Sequence, residues 1–205
     1  MSTPPASLAA RHSDFTQRLI VDAAITLLAE APVRELSIRS AAKQAGVSER
    51  TVFRYFQTRE DFLDAVATEM AARLKVPVDP ADVGELLDYP RAIFSRFEET
   101  AALTRAALHS ELYDRMRRVD TEKRAGAIRV LVDRVAPGRS EAAREIASAQ
   151  IRYYLIATTW HYYRFYFGFD QETCIRAARQ AIAQALRGLG VEDAAIDAAL
   201  AEQAR

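Results

Sequence analysis

Isolated helices shorter than about 12 residues are marginal in water, so a chain that writes two of them back to back must fold around them. The stretch Leu36 to Val66, LSIRSAAKQAGVSERTVFRYFQTREDFLDAV, does this. Ser37 predicts the N-cap of a helix over Ile38–Ala45, and Gly46 predicts its left-handed close. Ser48 starts the next helix, Glu49–Tyr55, almost at once, and Thr58 caps a fourth that runs to about Lys75. Ile38, Ala41, Ala42, Val47, Val52 and Phe56 are spaced to meet inside the bend with residues of the first helix. Glu49, Arg50, Phe53 and Arg54 are left outside, with Arg50 and Arg54 four apart and hence on one side.

The rest of the chain repeats the helical period, with apolar residues at spacings of three and four. No alternating Val/Ile/Thr run and no hairpin dipeptide predicts a strand. A first helix is expected over about Asp14–Glu30, with Phe15, Leu19, Ala23, Leu27 and Leu28 on its inner face and Pro32 ending it. The stretch VPVDPAD, Val76 to Asp82, has two prolines and no period, and marks a domain boundary. Beyond it the pattern predicts helices near Val83–Glu98, Ala101–His109, Glu111–Ala136, Glu141–Phe167 and Gln171–Leu189, with a weaker one over Val191–Ala204. No period of 20 to 50 residues recurs, which excludes a solenoid. The expected architecture is all-α, with a helix-turn-helix domain over 10–75 and a second helical domain over 76–205.

Composition narrows the function. One cysteine among 205 residues excludes a disulfide framework and a Cys-rich zinc site. No signal-peptide core and no long uncharged apolar run are present, so the expectation is a cytoplasmic protein that does not span a membrane, with Cys174 a free thiol. The 28 basic and 28 acidic side chains cancel. Between Arg34 and Arg59, however, six residues are basic and two acidic. The neutral total therefore hides one basic face. Arginine outnumbers lysine 25 to 3 and alanine reaches 39, a skew that a GC-rich genome produces as readily as function.

A short helix that presents guanidinium groups suits the DNA major groove, where arginine pairs bidentately with guanine. Arg59, at the start of the fourth helix, opposes the helix dipole unless it faces an anion. Either it is solvated on a frayed turn, or it faces a phosphate. Ser37-Ile38-Arg39, Ala42, Ala45-Gly46-Val47-Ser48, Thr51-Val52-Phe53, Tyr55-Phe56, Arg59-Glu60-Asp61 and Leu63 together resemble the DNA-binding domain of the tetracycline-repressor (TetR) family. The resemblance covers residues 14 to 70, a third of the chain. It implies that Ser37, Arg39, Tyr55 and Arg59 hold phosphates, and that Glu49, Arg50, Thr51 and Phe53 face the groove or its walls. Ser48 and Arg54 complete the expected DNA-binding set. Phe53 departs from the family's usual Tyr, losing a phosphate donor, and is expected against a thymine methyl or a sugar. Arg50 stands where the family often has Gly and can add a base contact. Tyr55 can instead pack at a helix end, Glu49 can simply complement its helix dipole, and Ser37 and Ser48 are caps in any case.

The stretch Arg152 to Phe167, RYYLIATTWHYYRFYF, holds five of the eight Tyr and the single Trp. A helix so apolar all round must be buried on more than one side. Tyr153, Ile156, Trp160, Tyr163 and Phe167 would share one face, and Leu155, Thr159, Tyr162 and Tyr166 another. The next helix carries Ala177, Ala178, Ala181 and Ala185, which permit close approach of a neighbour. The resemblance implies a homodimer through the helices near 141–167 and 171–189, reading a palindromic double-stranded DNA operator with recognition helices about 34 Å apart. It also implies a pocket for a small apolar or aromatic effector. Its candidate lining is Phe94, Phe97, His109, Tyr113, Tyr154, Thr158, Trp160 and His161, each of which can equally be core, with His161 also able to face the dimer. A ligand-released transcriptional repressor without cofactor, metal or catalytic residues is the reading these features favour. The alternatives are a helical enzyme or carrier, and a dimeric interaction protein whose DNA head is idle. His109-Ser110-Glu111 resembles the start of a zinc deaminase signature but lacks the Pro-Cys-x-x-Cys that completes it. HExxH, GxSxG and phosphate-loop glycine patterns are also missing.

Overall fold

A computed structural model describes residues 8–30, 36–76 and 79–202, and every described element is helical. The chain forms two compact units: residues up to Arg73 with Ala102–Val119, and Leu74–Ala101 with the residues from Asp120 onward. The first is built on α1 (Leu8–Glu30), α2 (Ile38–Ala45), α3 (Glu49–Tyr55), α4 (Arg59–Leu74), α6 (Ala101–His109) and the start of α7 (Tyr113–Val135). The second contains α5 (Val83–Glu99), the remainder of α7, α8 (Glu141–Tyr153), α9 (Ala157–His161), α10 (Gln171–Gly188) and α11 (Asp193–Glu202).

Local signals explain the short helices. The Ser37 hydroxyl accepts from Ser40 N at 3.0 Å at the start of α2, and Ser48 accepts from Thr51 N at 3.1 Å at the start of α3. Gly46 has φ 67°, and a Schellman pair closes α2, with Gly46 N–H donating to Lys43 O and Val47 N–H to Ala42 O. Thr58 and Asp61 cap α4 reciprocally, Asp61 N donating to Thr58 Oγ1 and Thr58 N to Asp61 Oδ2, both at 3.0 Å. Ala41, Ala42, Val52 and Phe56 are buried as their spacing requires, and Phe56 meets Phe62 edge-on at 5.5 Å. Val47 is half-buried.

The first helix departs from expectation. It begins at Leu8, and its buried stripe is Ile20, Ala24 and Leu28 with Val21, Ala23 and Ile25. Phe15 and Leu19 are exposed. Nearly every position from 19 to 28 is apolar, so apolar spacing fits two stripes equally well. Asp22 and Thr26, which face solvent, decide between them, because the residues opposite that polar pair are 20, 24 and 28. Pro32 lies outside the described residues. Glu111, expected at a helix start, sits in the turn before α7.

In the second unit, Leu86, Leu87, Phe94, Ile128, Leu131, Ile151, Ile182 and Leu186 form the core. Arg179 is buried on α10 and donates to Leu87 O at 2.8 Å and to Asp88 Oδ1 at 2.6 Å, pinning α10 to α5. The single helix expected over 141–167 is instead three pieces. α8 stops at Tyr153, Ile156 is extended at φ −105° and ψ 157°, α9 follows, and a π-helical turn spans Tyr162–Tyr166. No Gly or Pro marks the break. The Thr159 hydroxyl donates to Tyr153 O at 2.5 Å and so satisfies a carbonyl that the interrupted helix leaves open.

Two glycines should respond in opposite directions to the same change. Gly46→Ala forces an L side chain into φ 67° and should destabilise by about 1 kcal/mol. Gly126→Ala, within α7 and with nothing within 4 Å of the added carbon, should stabilise by about 0.5–1 kcal/mol. Urea unfolding midpoints of the two variants against wild type check both signs.

Candidate nucleic-acid interface

The two-residue bend at Gly46-Val47 sets α3 against α1 and α2 by burying Val52 and Phe56, which turns the opposite side of α3 outward. Glu49, Arg50, Phe53 and Arg54 are all exposed there, and Thr51 is half-buried with its hydroxyl 2.9 Å from Ser48 Oγ. Phe53 is 47% exposed, a large apolar ring in water without a core role. Arg39 and Lys43 are exposed on α2. Among the described residues no carboxylate pairs with Arg39, Lys43, Arg50 or Arg54. The surface therefore offers uncompensated positive charge around one apolar ring, the combination that a phosphate-lined groove accepts.

Three expected members of the set are already engaged. The Arg54 guanidinium lies 5.1 Å from the Tyr55 ring centroid and donates to the Tyr55 hydroxyl at 3.4 Å. Hydrogen bonding from Thr16 on α1, then from Arg54, holds the Tyr55 phenol below its ordinary pKa. Arg59 donates to Glu111 Oε1 at 2.5 Å and to Leu36 O at 3.2 Å. Neither Thr16 nor Glu111 is marked by the local sequence pattern, because each meets its partner only through the tertiary fold. Arg115 likewise ties α7 to α4 through Glu60 and Asp64.

The expected effector residues fall in different surroundings. His109 is exposed at the end of α6, and Tyr113 is half-buried with Arg117 5.6 Å from its ring centroid; both belong to the first unit. In the second unit Phe94, Phe97 and Trp160 interlock, with ring centroids 6.4 Å apart for the first pair and 5.9 Å for the second. Trp160 is wholly buried and its indole N–H donates to Glu98 at 3.2 Å. Tyr154 and Thr158 are half-buried, and buried His161 packs 5.0 Å from Phe165. Arg164 grips Glu98 at 2.7 and 3.0 Å and Phe169 O at 2.8 Å. This clamp fixes the π-helical turn, and Tyr162, Phe165, Tyr166 and Phe167 project from it into solvent together with Tyr153. Burial pushes the Cys174 thiol up to about 11, which leaves it an unreactive apolar filler.

Residues 20–66 match the model of the bacterial regulatory proteins of the tetR family. A crystal structure of a tetR-family transcriptional regulator from Streptomyces coelicolor is similar in fold, with a TM-score of 0.58 and 17% identity over 92% of this chain and 88% of that one. No curated protein sequence matches the chain. Among the described residues no helix is long and apolar enough to cross a membrane.

The Glu98 clamp has a pH signature. The Arg164 hydrogen bonds lower the Glu98 pKa, so the stabilisation is fully present above the ordinary carboxylate range and is lost as pH falls through the lowered value. Glu98→Gln keeps an acceptor for the indole and removes the charge. Its thermal midpoint should lie below that of wild type at pH 7, and the gap should close as pH falls below the ordinary carboxylate range and through the lowered value.

Proposed function

We propose that this chain, a tetR-family protein by its residues 20–66, is a dimeric, effector-responsive transcriptional repressor that reads a palindromic operator through α3. The observation that carries the reading is the exposed face of α3, where Arg50 and Phe53 stand outward over a buried Val52. Arg50 is suited to a guanine edge, Phe53 to a thymine methyl and Glu49 to a cytosine amino group. Arg39, with Ser37 at the N-terminus of α2, is suited to backbone phosphates, as are Tyr55 and Arg59. Thr51, Ser48 and Arg54 flank them. The reading makes the protein a binding protein rather than an enzyme, and one that works in the cytoplasm.

A second copy is the proposed cover for the aromatic surface. Tyr162, Tyr166 and Phe167, each more than half exposed, lie beside α10, whose Ala177, Ala181 and Ala185 are only partly buried. Apolar surface of this kind is costly to leave in water, and two-fold pairing covers it with the same residues from the partner. The effector is proposed to be small and apolar or aromatic, held near Phe94, Phe97, Tyr154, Thr158, Trp160 and His161; the other two candidates, His109 and Tyr113, belong to the first unit. Coupling of about 1–3 kcal/mol between effector and operator suffices for release.

Three measurements test the reading. In an electrophoretic shift against the DNA upstream of the gene, Arg50→Ala should change which sequences are bound. Arg39→Ala should weaken all sequences alike and reduce the salt slope by about 0.9, one phosphate contact. A protein that shifts no DNA at low salt would refute the assignment. Replacing both Tyr166 and Phe167 by Glu should convert a dimer to a monomer in sedimentation equilibrium. Anilinonaphthalene sulfonate should quench Trp160, the only indole, and lower operator affinity in step; quenching without any change in affinity would count against an effector site.

A further inference from the structure

We infer that Glu111 competes with DNA phosphate for Arg59, so that the strength of the head's grip on DNA is set by a residue outside the family-matched segment. The inference rests on the DNA-binding reading above and concerns its regulation. One carboxylate oxygen, Glu111 Oε1, accepts from Arg59 at 2.5 Å and from Leu36 N at 2.9 Å, while Arg59 also reaches Leu36 O at 3.2 Å. Three groups thus close a ring at the point where two helices begin. Leu36 immediately precedes the Ser37 cap of α2, and Arg59 is the first residue of α4.

Both helix starts present a positive dipole end, which favours an anion beside it. A guanidinium placed there strengthens that preference. Glu111 is that anion in the free protein. Its oxygen holds the hydrogen-bonding position on Arg59 that a phosphate oxygen would take, and its charge cancels the one Arg59 would offer to DNA. The Arg59 side chain is 40% exposed and that of Glu111 26%, so water and DNA reach the pair without unfolding. A half-exposed pair of this kind is weak enough to be exchanged. The second nearby acid, Glu60, is 4.0 Å from the other terminal nitrogen and also engages Arg115. Among the described residues, Glu111 is therefore the acid that holds Arg59 most closely.

The test is fluorescence anisotropy of wild type, Glu111→Gln, Glu111→Asp, Arg59→Ala and the Arg59→Ala/Glu111→Gln double variant. Each is titrated over a salt series with a duplex from the upstream region and with a duplex of unrelated sequence. Glu111→Gln retains an acceptor for Leu36 N–H, and thermal melts report whether each variant folds. Glu111→Gln should bind both duplexes about five-fold more tightly, the upper end expected from losing one exposed ion pair, with a steeper salt slope. Glu111→Asp, whose carboxylate reaches less far, should tighten binding by a smaller factor. In the Arg59→Ala background, Glu111→Gln should have no effect. Unchanged or weaker binding by both single Glu111 variants overturns the competition, as does equal tightening with and without Arg59. Wild type that binds neither duplex overturns the DNA-binding reading itself, and the competition with it. Wild-type binding with unresponsive Glu111 variants overturns the competition alone.

Discussion

Helix α3 is seven residues long, and α2 before it is eight. At that length backbone hydrogen bonding does not repay the entropy of nucleation, so neither helix persists in water alone. Everything else in the first unit follows from this shortage. Side-chain oxygens of Ser37, Ser48 and Thr58 supply partners for the helix starts, and Gly46 lets α2 end only three residues before α3 begins. The remaining support comes from burial, with Val52 and Phe56 on one side of α3 packed away from water. An outward face that is free to touch a ligand exists because the inward face and both ends are fully occupied.

The second unit solves a different problem, which is how to place many rings at one end of a helical core without burying them all. Continuing α8 to Phe167 as one cylinder would have spread those rings around its circumference. The break at Ile156, the short α9 and the π-helical turn change their direction. Trp160 is driven into the core against Phe97, while Tyr162, Tyr166 and Phe167 are left outside. Each interruption frees backbone groups, and each is answered locally: Thr159 takes the Tyr153 carbonyl, Phe167 N–H reaches Tyr162 O, and Arg164 takes the Phe169 carbonyl. The bidentate hold of Arg164 on Glu98 then ties the turn to α5, and the same carboxylate satisfies the indole.

What could be read from the sequence was what short-range chemistry decides. The bend at Gly46-Val47 and its caps were legible because cap, stop and start lie within a dozen residues of one another. The direction of α1 was not legible from apolar spacing, since the segment is apolar almost everywhere; its two polar positions, Asp22 and Thr26, carry the information instead. The interruption after Tyr153 has no Gly or Pro to announce it, and the residue that makes it tolerable, Thr159, acts from six positions away. Glu111 was unreadable for a stronger reason. Its partners Leu36 and Arg59 are 75 and 52 residues distant, and only the folded chain brings the three together.

Pairing between residues distant in sequence also shapes how the neutral total charge is distributed. In the folded chain many arginines away from the α2–α3 surface are spoken for by carboxylates. Arg73 is taken by Asp22 and Glu69, Arg115 by Glu60 and Asp64, Arg91 by Glu172, and Arg187 by Asp193 and Asp197. Pairs as exposed as these add little stability individually. Their electrostatic consequence is larger, because each cancels a positive charge that would otherwise add to the field away from the α2–α3 surface. Arg39, Lys43 and Arg50 have no such carboxylate among the described residues. A chain of zero net charge can therefore carry a directional field, with acids neutralising part of its basic surface and, among the described residues, none paired with the α2–α3 cations Arg39, Lys43 and Arg50. Arg59 stands on the border of that surface, and the acid that silences it comes from a turn far along the chain.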